Sequence, residues 1–233
     1  MVVTGTPRDR ARAQTMADIT RIGRAHLAEQ GAAALSLRAV ARDLGVVSSA
    51  VYRYVRSRDE LLTLLVVDAY NELGDAVDAA LKEVPEDNFA EQFRTVGRAV
   101  RAWALREPAR YALLFGSPVP GYAAPAEQTT IPGTRVIYAL VGIYDRAWAA
   151  GAVALSASTN TPEKLAASLE RIRAELGIDT PGEVITRGVF AWSALFGAVN
   201  FEVFGQYGPD TFDDPAELFE HHLDVLVESL RLR

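Results

Sequence analysis

The chain has 233 residues, of which 49% are hydrophobic and 23% charged, so it is long enough for one large or two modest domains with a sizeable core. The absence of cysteine excludes a disulfide framework, a thiolate metal site and a cysteine nucleophile. The net charge of −6 is unevenly distributed: residues 1–60 have 10 basic and 6 acidic side chains, whereas the remainder has 14 basic and 24 acidic ones. Only the first segment is therefore expected to contact phosphate.

The first residues are polar and rich in arginine, and they lack the apolar segment of a secretory signal peptide, so we expect a cytoplasmic protein. Ile19 and Ile22 are spaced for one face of a helix, predicted from about residue 13 to residue 30 and ended by Gly31. Three arginines before it are expected to form a flexible arm that adds salt-sensitive phosphate contacts: Arg8, Arg10 and Arg12.

The next segment has the pattern of two short helices across a glycine turn. Ser36 is placed to cap the first helix, in which apolar residues recur at i, i+3, i+4 and i+7: Leu37, Val40, Ala41 and Leu44. Gly45 follows at once, and glycine readily adopts the left-handed conformation of a tight interhelical turn. A helix over about residues 48–55 comes next, with Val51 and Val55 directed inward. This is the layout of a helix-turn-helix that enters a DNA major groove.

The side chains left outside on that helix suit nucleic acid. Small hydroxyls stand at its start, where base edges are approached, and tyrosine and arginine lie further along, where phosphate oxygens are contacted. Ser57 and Glu60 form a predicted capping box, and the helix start that they open is a candidate phosphate clamp. On spacing alone, an ordinary three-helix corner with a solvated face remains the alternative. The predicted DNA contacts are Arg38, Ser48, Ser49, Tyr52, Arg53, Tyr54 and Arg58, with Arg42 as a further candidate.

Three strings in this region resemble the N-terminal domain of TetR-family transcriptional regulators: EQGAAALSLRAVARDLGV, SAVYRYV and SRDELL. The resemblance covers about residues 18–65, and it implies that the helix containing AVYRYV enters the groove while Tyr52 and Arg58 contact phosphate. Arg58 stands where the family usually has lysine, which keeps the charge. Val55 replaces a common phenylalanine and Val47 a common serine or threonine, so local packing and sequence preference are expected to differ.

The remainder is predicted to be all-α, because it shows no strand-like alternation. A long helix from about residue 58 to residue 82 links head and body, and residues 116–133 form a loop rich in proline and glycine. The apolar stretch over residues 138–155 is interrupted by Asp145 and Arg146, so we expect a buried helix and no membrane span. Three pairs of a capping residue and proline mark later helix starts: Thr161 with Pro162, Thr180 with Pro181, and Asp214 with Pro215.

The segment over residues 189–207 is apolar nearly all round, and such a helix is buried on most sides. Self-association would bury it; a fully intramolecular core helix is the alternative. A two-fold dimer built from the last two helices presents two heads to a palindromic DNA site, and TetR-like proteins usually pair in this way. Trp192 and Gly197 resemble a W-x-x-x-H-G type of C-terminal domain, with Phe196 at the histidine position. The predicted interface residues are Ala191, Ala194, Ala198, Leu218, His221 and Val225.

The body is rich in aromatic residues, which more often fill a core than line a site, but a bundle of this composition beside a loop rich in proline and glycine can enclose an apolar cavity. In the family that the chain resembles, a small-molecule effector occupies the bundle and releases DNA. An apolar or aromatic effector is expected here. The candidate pocket residues are Arg98, Trp103, Tyr111, Phe115, Tyr138, Trp148, Trp192, Phe196 and Asn200, with Arg98 and Asn200 as polar anchors.

No catalytic motif or metal site emerges from the sequence, so we expect neither enzyme activity nor a cofactor. His221 and His222 are adjacent, and adjacent helical side chains point about 100° apart, which makes a poor chelate. We predict a helix-turn-helix DNA-binding domain over residues 1–57 and a helical ligand-binding and dimerisation domain over residues 58–233. The predicted function is a ligand-responsive regulator, foremost a repressor with an activator as an alternative, that binds a palindromic operator as a homodimer. A helical scaffold protein with a vestigial helix-turn-helix is the alternative.

Overall fold

The computed structural model describes residues 6–155 and 161–232, and within these ranges the chain is helical, with no strand beyond an isolated bridge between Val153 and Leu232. This confirms the all-α prediction. A 3₁₀ turn, Ala32–Ala34, follows the first helix. The α-helices are α1 (Pro7–Gln30), α2 (Leu37–Asp43), α3 (Ser48–Tyr52), α4 (Arg58–Leu81), α5 (Phe89–Arg106), α6 (Pro108–Phe115), α7 (Ala126–Ala149), α8 (Glu163–Leu176), α9 (Gly182–Val203) and α10 (Pro215–Leu230).

The described residues form two compact units. The first takes in α1 to α3, α6 and the first parts of α4 and α7, over residues 6–72 and 107–133. The second takes in α5, α8 to α10 and the later parts of α4 and α7. The functional boundary that we predict between residues 57 and 58 lies inside the first unit, where α4 begins.

A continuous apolar core holds the first unit together. Ile19 of α1, Val40 of α2, Val51 of α3 and Leu61 of α4 are each at most 1% exposed and belong to one cluster. Burying a side chain of this size contributes about 1.5–3 kcal/mol, so the cluster fixes the orientation of the short helices α2 and α3. These helices are too short to be stable alone.

The segment after α6 packs against this core. Leu113 of α6 and Val119 and Tyr122 beyond it lie on the cluster, and the Tyr122 hydroxyl is 3.1 Å from Thr63 Oγ1. We predicted a longer loop beside a body cavity, but α7 already begins at Ala126, with Pro132 inside the helix. The proline-rich connection is therefore short, and it belongs to the first unit.

The first helix is longer than predicted. It begins at Pro7, because Thr6 and Asp9 form a capping box: Thr6 Oγ1 accepts the Asp9 N–H at 3.2 Å, and Asp9 Oδ2 accepts the Thr6 N–H at 3.0 Å. The expectation of a flexible basic arm is wrong, since its members lie in this regular helix: Arg8, Arg10 and Arg12.

Only one of the three predicted caps with a following proline has the expected geometry. Asp214 caps α10, because its side chain accepts two backbone N–H groups of the first turn. Pro162 and Pro181 themselves occupy the N-cap positions of α8 and α9. Thr180 instead donates its hydroxyl to Asp145 Oδ1 at 2.5 Å and is 2% exposed.

In the second unit, α9 packs on α5 and α10 but keeps an exposed apolar side. Among the described residues it is the one helix long and apolar enough to cross a membrane by length and composition, and only 22% of its most apolar stretch is buried. Leu195 is fully buried, whereas Phe190 is 60% exposed. An unpaired apolar face of this kind favours an interaction surface.

Candidate functional sites: a nucleic-acid interface and an apolar cavity

The turn between α2 and α3 holds α3 on the surface of the first unit. Gly45 has a φ of 73°, in the left-handed region that favours glycine, and the Val46 N–H donates to the Ala41 carbonyl at 3.0 Å. Val51 in α3 and Val55 just after it are each 1% exposed, so both side chains anchor the helix to the core. The helix therefore has one buried face and one that is open to a partner.

The open face of α3 carries several of the predicted DNA contacts. Ser49, Tyr52 and Arg53 are exposed, and Ser48 is half-buried. Val47, the N-cap residue, is 71% exposed, which places an apolar side chain beside the hydroxyls. Hydroxyl, phenol, guanidinium and methyl groups on one protruding helix are suited to base edges, phosphates and thymine methyls of a major groove.

Exposed arginines surround this face. Arg42 is 3.2 Å from Asp43, but no ion pair is described for Arg38, Arg53 or Arg56 within residues 6–155 and 161–232. Guanidinium groups without a carboxylate partner are available to neutralise phosphates. Arg56 was not among the contacts predicted from the sequence.

Two of the predicted contacts are engaged within the protein. Arg58 Nη2 donates to the carbonyls of Ala32 at 2.9 Å and Ala33 at 3.3 Å, in the 3₁₀ turn after α1. Tyr54 is half-buried on the first-unit core, and the guanidinium carbon of Arg12 lies 5.3 Å from its ring centroid, which is cation–π range. Both side chains position the segments that flank α3, and their contact with DNA stays a prediction.

The caps of the neighbouring helices differ in detail from the prediction. Glu60 donates its N–H to Ser57 Oγ at 3.1 Å, as expected, but its carboxylate accepts the N–H of Arg56 at 2.6 Å. Ser36 occupies the N-cap position of α2 without a side-chain hydrogen bond. The predicted N-cap position of Ser36 is confirmed, but its side chain makes no capping hydrogen bond, and burial of Leu37 and its neighbours holds α2 in place.

A buried histidine ties α1 to the end of α2. His26 is 6% exposed, and its Nε2 lies 2.7 Å from Asp43 Oδ2. This hydrogen bond is the main cause that lowers the pKa of Asp43 below its ordinary value, and Arg42 adds to it. Because Asp43 directly precedes the turn to α3, the pair helps to orient the helix with the open face.

The second unit contains a cavity of about 280 Å³. Its walls come from α5, α7, α8, α9 and α10, and from the segment between α8 and α9. Aliphatic side chains such as Ile137, Leu140 and Ile172 dominate the lining. Asp145 and Thr180 are polar residues of the lining, and their side chains form a hydrogen bond with each other. The cavity has the apolar lining and few polar groups that small-molecule sites share.

Most of the predicted pocket aromatics lie elsewhere. Among the described residues, Trp192 is the one predicted pocket residue that lines this cavity. Trp103 and Tyr111 are fully buried in the cores, and the Tyr111 and Phe115 rings are in tilted contact in the first unit, with an interplanar angle of 44° and centroids 5.0 Å apart. These rings fill space between helices, which is the commoner role of aromatic residues at helical spacing.

The predicted polar anchors also fall outside the cavity lining. Arg98 forms a two-pronged pair with Glu220, in which Nη2 lies 2.8 Å from Oε2, and this bond is the main cause that raises its pKa. Asn200 Oδ1 is buried, with no hydrogen-bond partner in the part of the chain that the structure describes. Tyr138 is 55% exposed. Four of the predicted pocket residues are partly buried and lie outside the lining: Phe115, Trp148, Phe196 and Asn200.

A shallow apolar groove runs along the exposed side of α9 and α10. Phe190, Phe201 and Val225 are 60%, 46% and 49% exposed, and Gly197 leaves open space in front of its Cα. Of the predicted interface residues, the groove contains Ala194, Ala198 and Val225. Two others lie beside it on α10, Leu218 half-buried and His221 exposed.

Ala191 is placed differently, because it is 1% exposed inside its own subunit. Its small side chain allows close packing within the unit, and it is not available to a partner.

Two family models match this chain. Residues 19–65 match "Bacterial regulatory proteins, tetR family", and residues 93–226 match "Tetracyclin repressor-like, C-terminal domain". The HTH-type transcriptional regulators Rv1816 of Mycobacterium tuberculosis and Mb1846 of Mycobacterium bovis are each 46% identical over 226 residues, which is 97% of this chain and 96% of theirs.

The chain belongs to the TetR family. It is a DNA-binding transcriptional regulator, and the scaffold alternative is set aside. TetR-family proteins are typically not enzymes. The C-terminal match is to the tetracyclin repressor-like domain, and the W-x-x-x-H-G resemblance of Trp192 and Gly197 stays a prediction.

Two solved structures share the fold. The regulatory protein SCO4313 superposes with a TM-score of 0.77 at 35% identity, covering 96% of this chain and all of that one. RolR, solved with its ligand resorcinol, has a TM-score of 0.54 at 16% identity, over 95% of this chain and 94% of that one. The second likeness concerns the fold alone.

Sequence reasoning missed the aliphatic cavity because it selected aromatic side chains. The usable signal was Asp145, a lone acid within an apolar helical stretch. Such a residue is costly to bury without a partner, so its presence in α7 marks a place where the helix faces a polar group or a cavity.

Proposed function

We propose that this TetR-family protein is a cytoplasmic repressor that binds a palindromic operator as a homodimer and is released by a small-molecule effector. The observation that carries the effector part is the apolar cavity of about 280 Å³ in the second unit. A regulator that binds DNA alone has no need of such a space, whose lining loses packing contacts when it is empty.

For the DNA interface we propose that α3 enters the major groove. Ser48 and Ser49 at its start approach base edges, and Tyr52 and Arg53 approach phosphates. The exposure of Ser49, Tyr52 and Arg53 supports this assignment, as do the unpaired cations of the surrounding surface, Arg38 and Arg56. Arg58 and Tyr54 orient the helix and meet phosphate from its flanks.

For the dimer we propose that a second copy of this chain covers the groove on α9 and α10. Aromatic side chains such as Phe190 and Phe201 are exposed there in a monomer, and mutual burial of such rings drives homodimer formation. Small residues at Ala194, Gly197 and Ala198 permit close approach of two helices. A two-fold axis would then double the number of recognition helices.

A mobility-shift assay with DNA flanking the gene tests the DNA interface. The native protein is expected to give a salt-sensitive complex with one palindromic site. Tyr52→Phe and Arg53→Ala are expected to weaken it at least about tenfold, since each removes a phosphate contact made in both half-sites. Arg21→Ala, an exposed arginine of α1 that pairs with Asp18, is the matched control and should bind normally. Equal weakening by the control would contradict the assignment.

Light scattering tests the dimer. The native protein is expected to have twice the mass of one chain, and Ala194→Arg is expected to be monomeric and to lose operator binding while keeping its helical content. Ala79→Arg, at an exposed position of α4, is the control and should stay dimeric. A dimeric Ala194→Arg variant would exclude this surface. In vitro transcription from the operator separates repression from activation.

A further inference from the structure

The cavity of the second unit has a single charged residue among its described lining, Asp145 of α7. Thr180 Oγ1 donates to its Oδ1, and no hydrogen-bond partner of Oδ2 is described within residues 6–155 and 161–232. An ionised carboxylate accepts about four hydrogen bonds. Asp145 therefore keeps acceptor capacity that the protein does not use.

The hydroxyls of Tyr144 and Thr180, which also line the cavity, already form hydrogen bonds within the protein. The Tyr144 hydroxyl donates to the Leu230 carbonyl at 2.8 Å in a buried bond. The Thr180 hydroxyl is directed to Asp145 and is itself almost fully buried. A ligand polar group that enters the cavity thus meets one strong acceptor in apolar surroundings.

The size of the cavity limits the apolar part of the ligand. A dry protein cavity of about 150 Å³ binds benzene, and this one measures about 280 Å³. Its volume therefore suits a body of about two fused rings or an equivalent aliphatic chain. The aliphatic walls from α7, α8 and α9 offer such a body no hydrogen bonds, so orientation depends on the head group.

We propose that the effector has an apolar body and a single hydrogen-bond-donating head, a protonated amine or a hydroxyl, and that Asp145 binds that head. This rests on the proposed effector function of the cavity and narrows its chemistry. A donor completes the hydrogen bonding of a carboxylate in apolar surroundings, whereas a carboxylate head would place two negative charges together. Acidic effectors are therefore excluded from this orientation.

Four naphthalene derivatives with the same ring body test the head group by calorimetric titration at neutral pH: naphthylmethylamine, naphthylmethanol, methylnaphthalene and naphthoate. The amine and the alcohol are expected to bind the native protein more tightly than methylnaphthalene, with naphthoate the weakest by at least about tenfold relative to the amine. Asp145→Asn is expected to reduce the amine-to-naphthoate ratio to less than about threefold.

Matched variants separate the head group from the cavity. Asp210→Asn, an exposed position outside the cavity, should retain the native ranking. Leu140→Trp fills the cavity and should abolish binding of all four compounds.

The outcomes distinguish the two proposals. Equal affinity for all heads, or a ranking unchanged in Asp145→Asn, overturns the head-group assignment but leaves the cavity as a site. If none of the four compounds binds, both the cavity and the head group are overturned for ligands of this size. If the amine binds through Asp145 without weakening the operator complex, the chemical class stands and the release of DNA by an effector fails.

Discussion

Arg24 of α1 and Asp68 of α4 form a two-pronged ion pair, with Nε 2.7 Å from Oδ2 and Nη2 2.6 Å from Oδ1. The hydrogen bond to Asp68 is the main cause that raises the pKa of Arg24. Arg110 of α6, only 3% exposed, donates to the same carboxylate at 3.0 Å and to Glu72 at 2.7 Å. One charged cluster thus joins three helices of the unit that carries α3.

Removal of the shared carboxylate should therefore destabilise the protein. Breaking a fully buried pair costs about 3–5 kcal/mol, and we expect about 2 kcal/mol for Asp68→Asn because Glu72 remains. Asp75→Asn changes the same residue type on the same helix, where the carboxylate is 73% exposed, and should cost less than about 0.5 kcal/mol. Urea denaturation measures the free energy of unfolding of both variants. Equal losses would show that the cluster stabilises the protein no more than an exposed ion pair does.

Arg38 and Arg58 should differ in what they contribute to operator binding. Arg38→Ala is expected to lower affinity and to reduce the slope of log affinity against log salt by about 0.9, since one phosphate contact disappears, without a change in Tm. Arg58→Ala should also lower Tm, because the hydrogen bonds to Ala32 and Ala33 are lost.

Fluorescence anisotropy over a series of KCl concentrations, together with thermal melts, distinguishes the two arginines. An unchanged salt slope in Arg38→Ala would mean that this side chain contacts no phosphate.

Val47 should contribute to sequence preference through thymine methyl groups. An apolar side chain that is 71% exposed at the start of α3 suits a methyl group in the major groove. Replacing individual thymines of the operator by uracil removes only that methyl, and at one position of each half-site it should weaken native binding roughly fivefold, or about 1 kcal/mol. Val47→Ser should be insensitive to the same replacement. A native protein indifferent to every uracil would contradict this contact.

Gly97 should be intolerant of a side chain. A Cβ there would lie 2.5 Å from Leu223 Cδ2, on fully buried packing between α5 and α10, so Gly97→Ala is expected to cost about 1–3 kcal/mol. At Gly142 of α7 the nearest atom is the end of the flexible Arg146 side chain at 3.3 Å, and alanine should stabilise by up to about 1 kcal/mol. Thermal melts of both variants test the contrast, which would be refuted by effects of the same sign.

The pair between Arg98 and Glu220 should give a small, pH-dependent stabilisation. The hydrogen bond from Arg98 lowers the pKa of Glu220 from its ordinary value of 4.5, so the contribution is present above that value and is lost as the pH falls through the lowered one. Glu220 is 47% exposed, which limits the effect to about 0.2–1 kcal/mol.

Melting temperatures of native protein and Glu220→Gln should therefore differ at pH 7 and converge in acid. Glu228→Gln, an exposed position on the same helix, is the control and should match the native protein throughout. A difference that persists below the lowered pKa would assign it to packing.

Local signals were sufficient where the chain interacts with itself over short distances. The helix-turn-helix was predicted from three local features: the apolar repeat that begins at Leu37, the glycine at position 45 and the cap at Ser57. Each of these depends on residues that are close together in the sequence. The start of α1 was missed although it is also local, since the capping box of Thr6 and Asp9 was overlooked.

The sequence by itself determined the all-α class, the helix-turn-helix and, through its motifs, the family. Only the tertiary structure decided which helix faces meet. It placed Trp103 and Tyr111 in cores, engaged Arg98 with Glu220, and left aliphatic residues around Asp145 to form the cavity. The physical reason is that periodicity tells which side of a helix is apolar, whereas whether that side meets a neighbour or a void depends on side chains from distant parts of the chain.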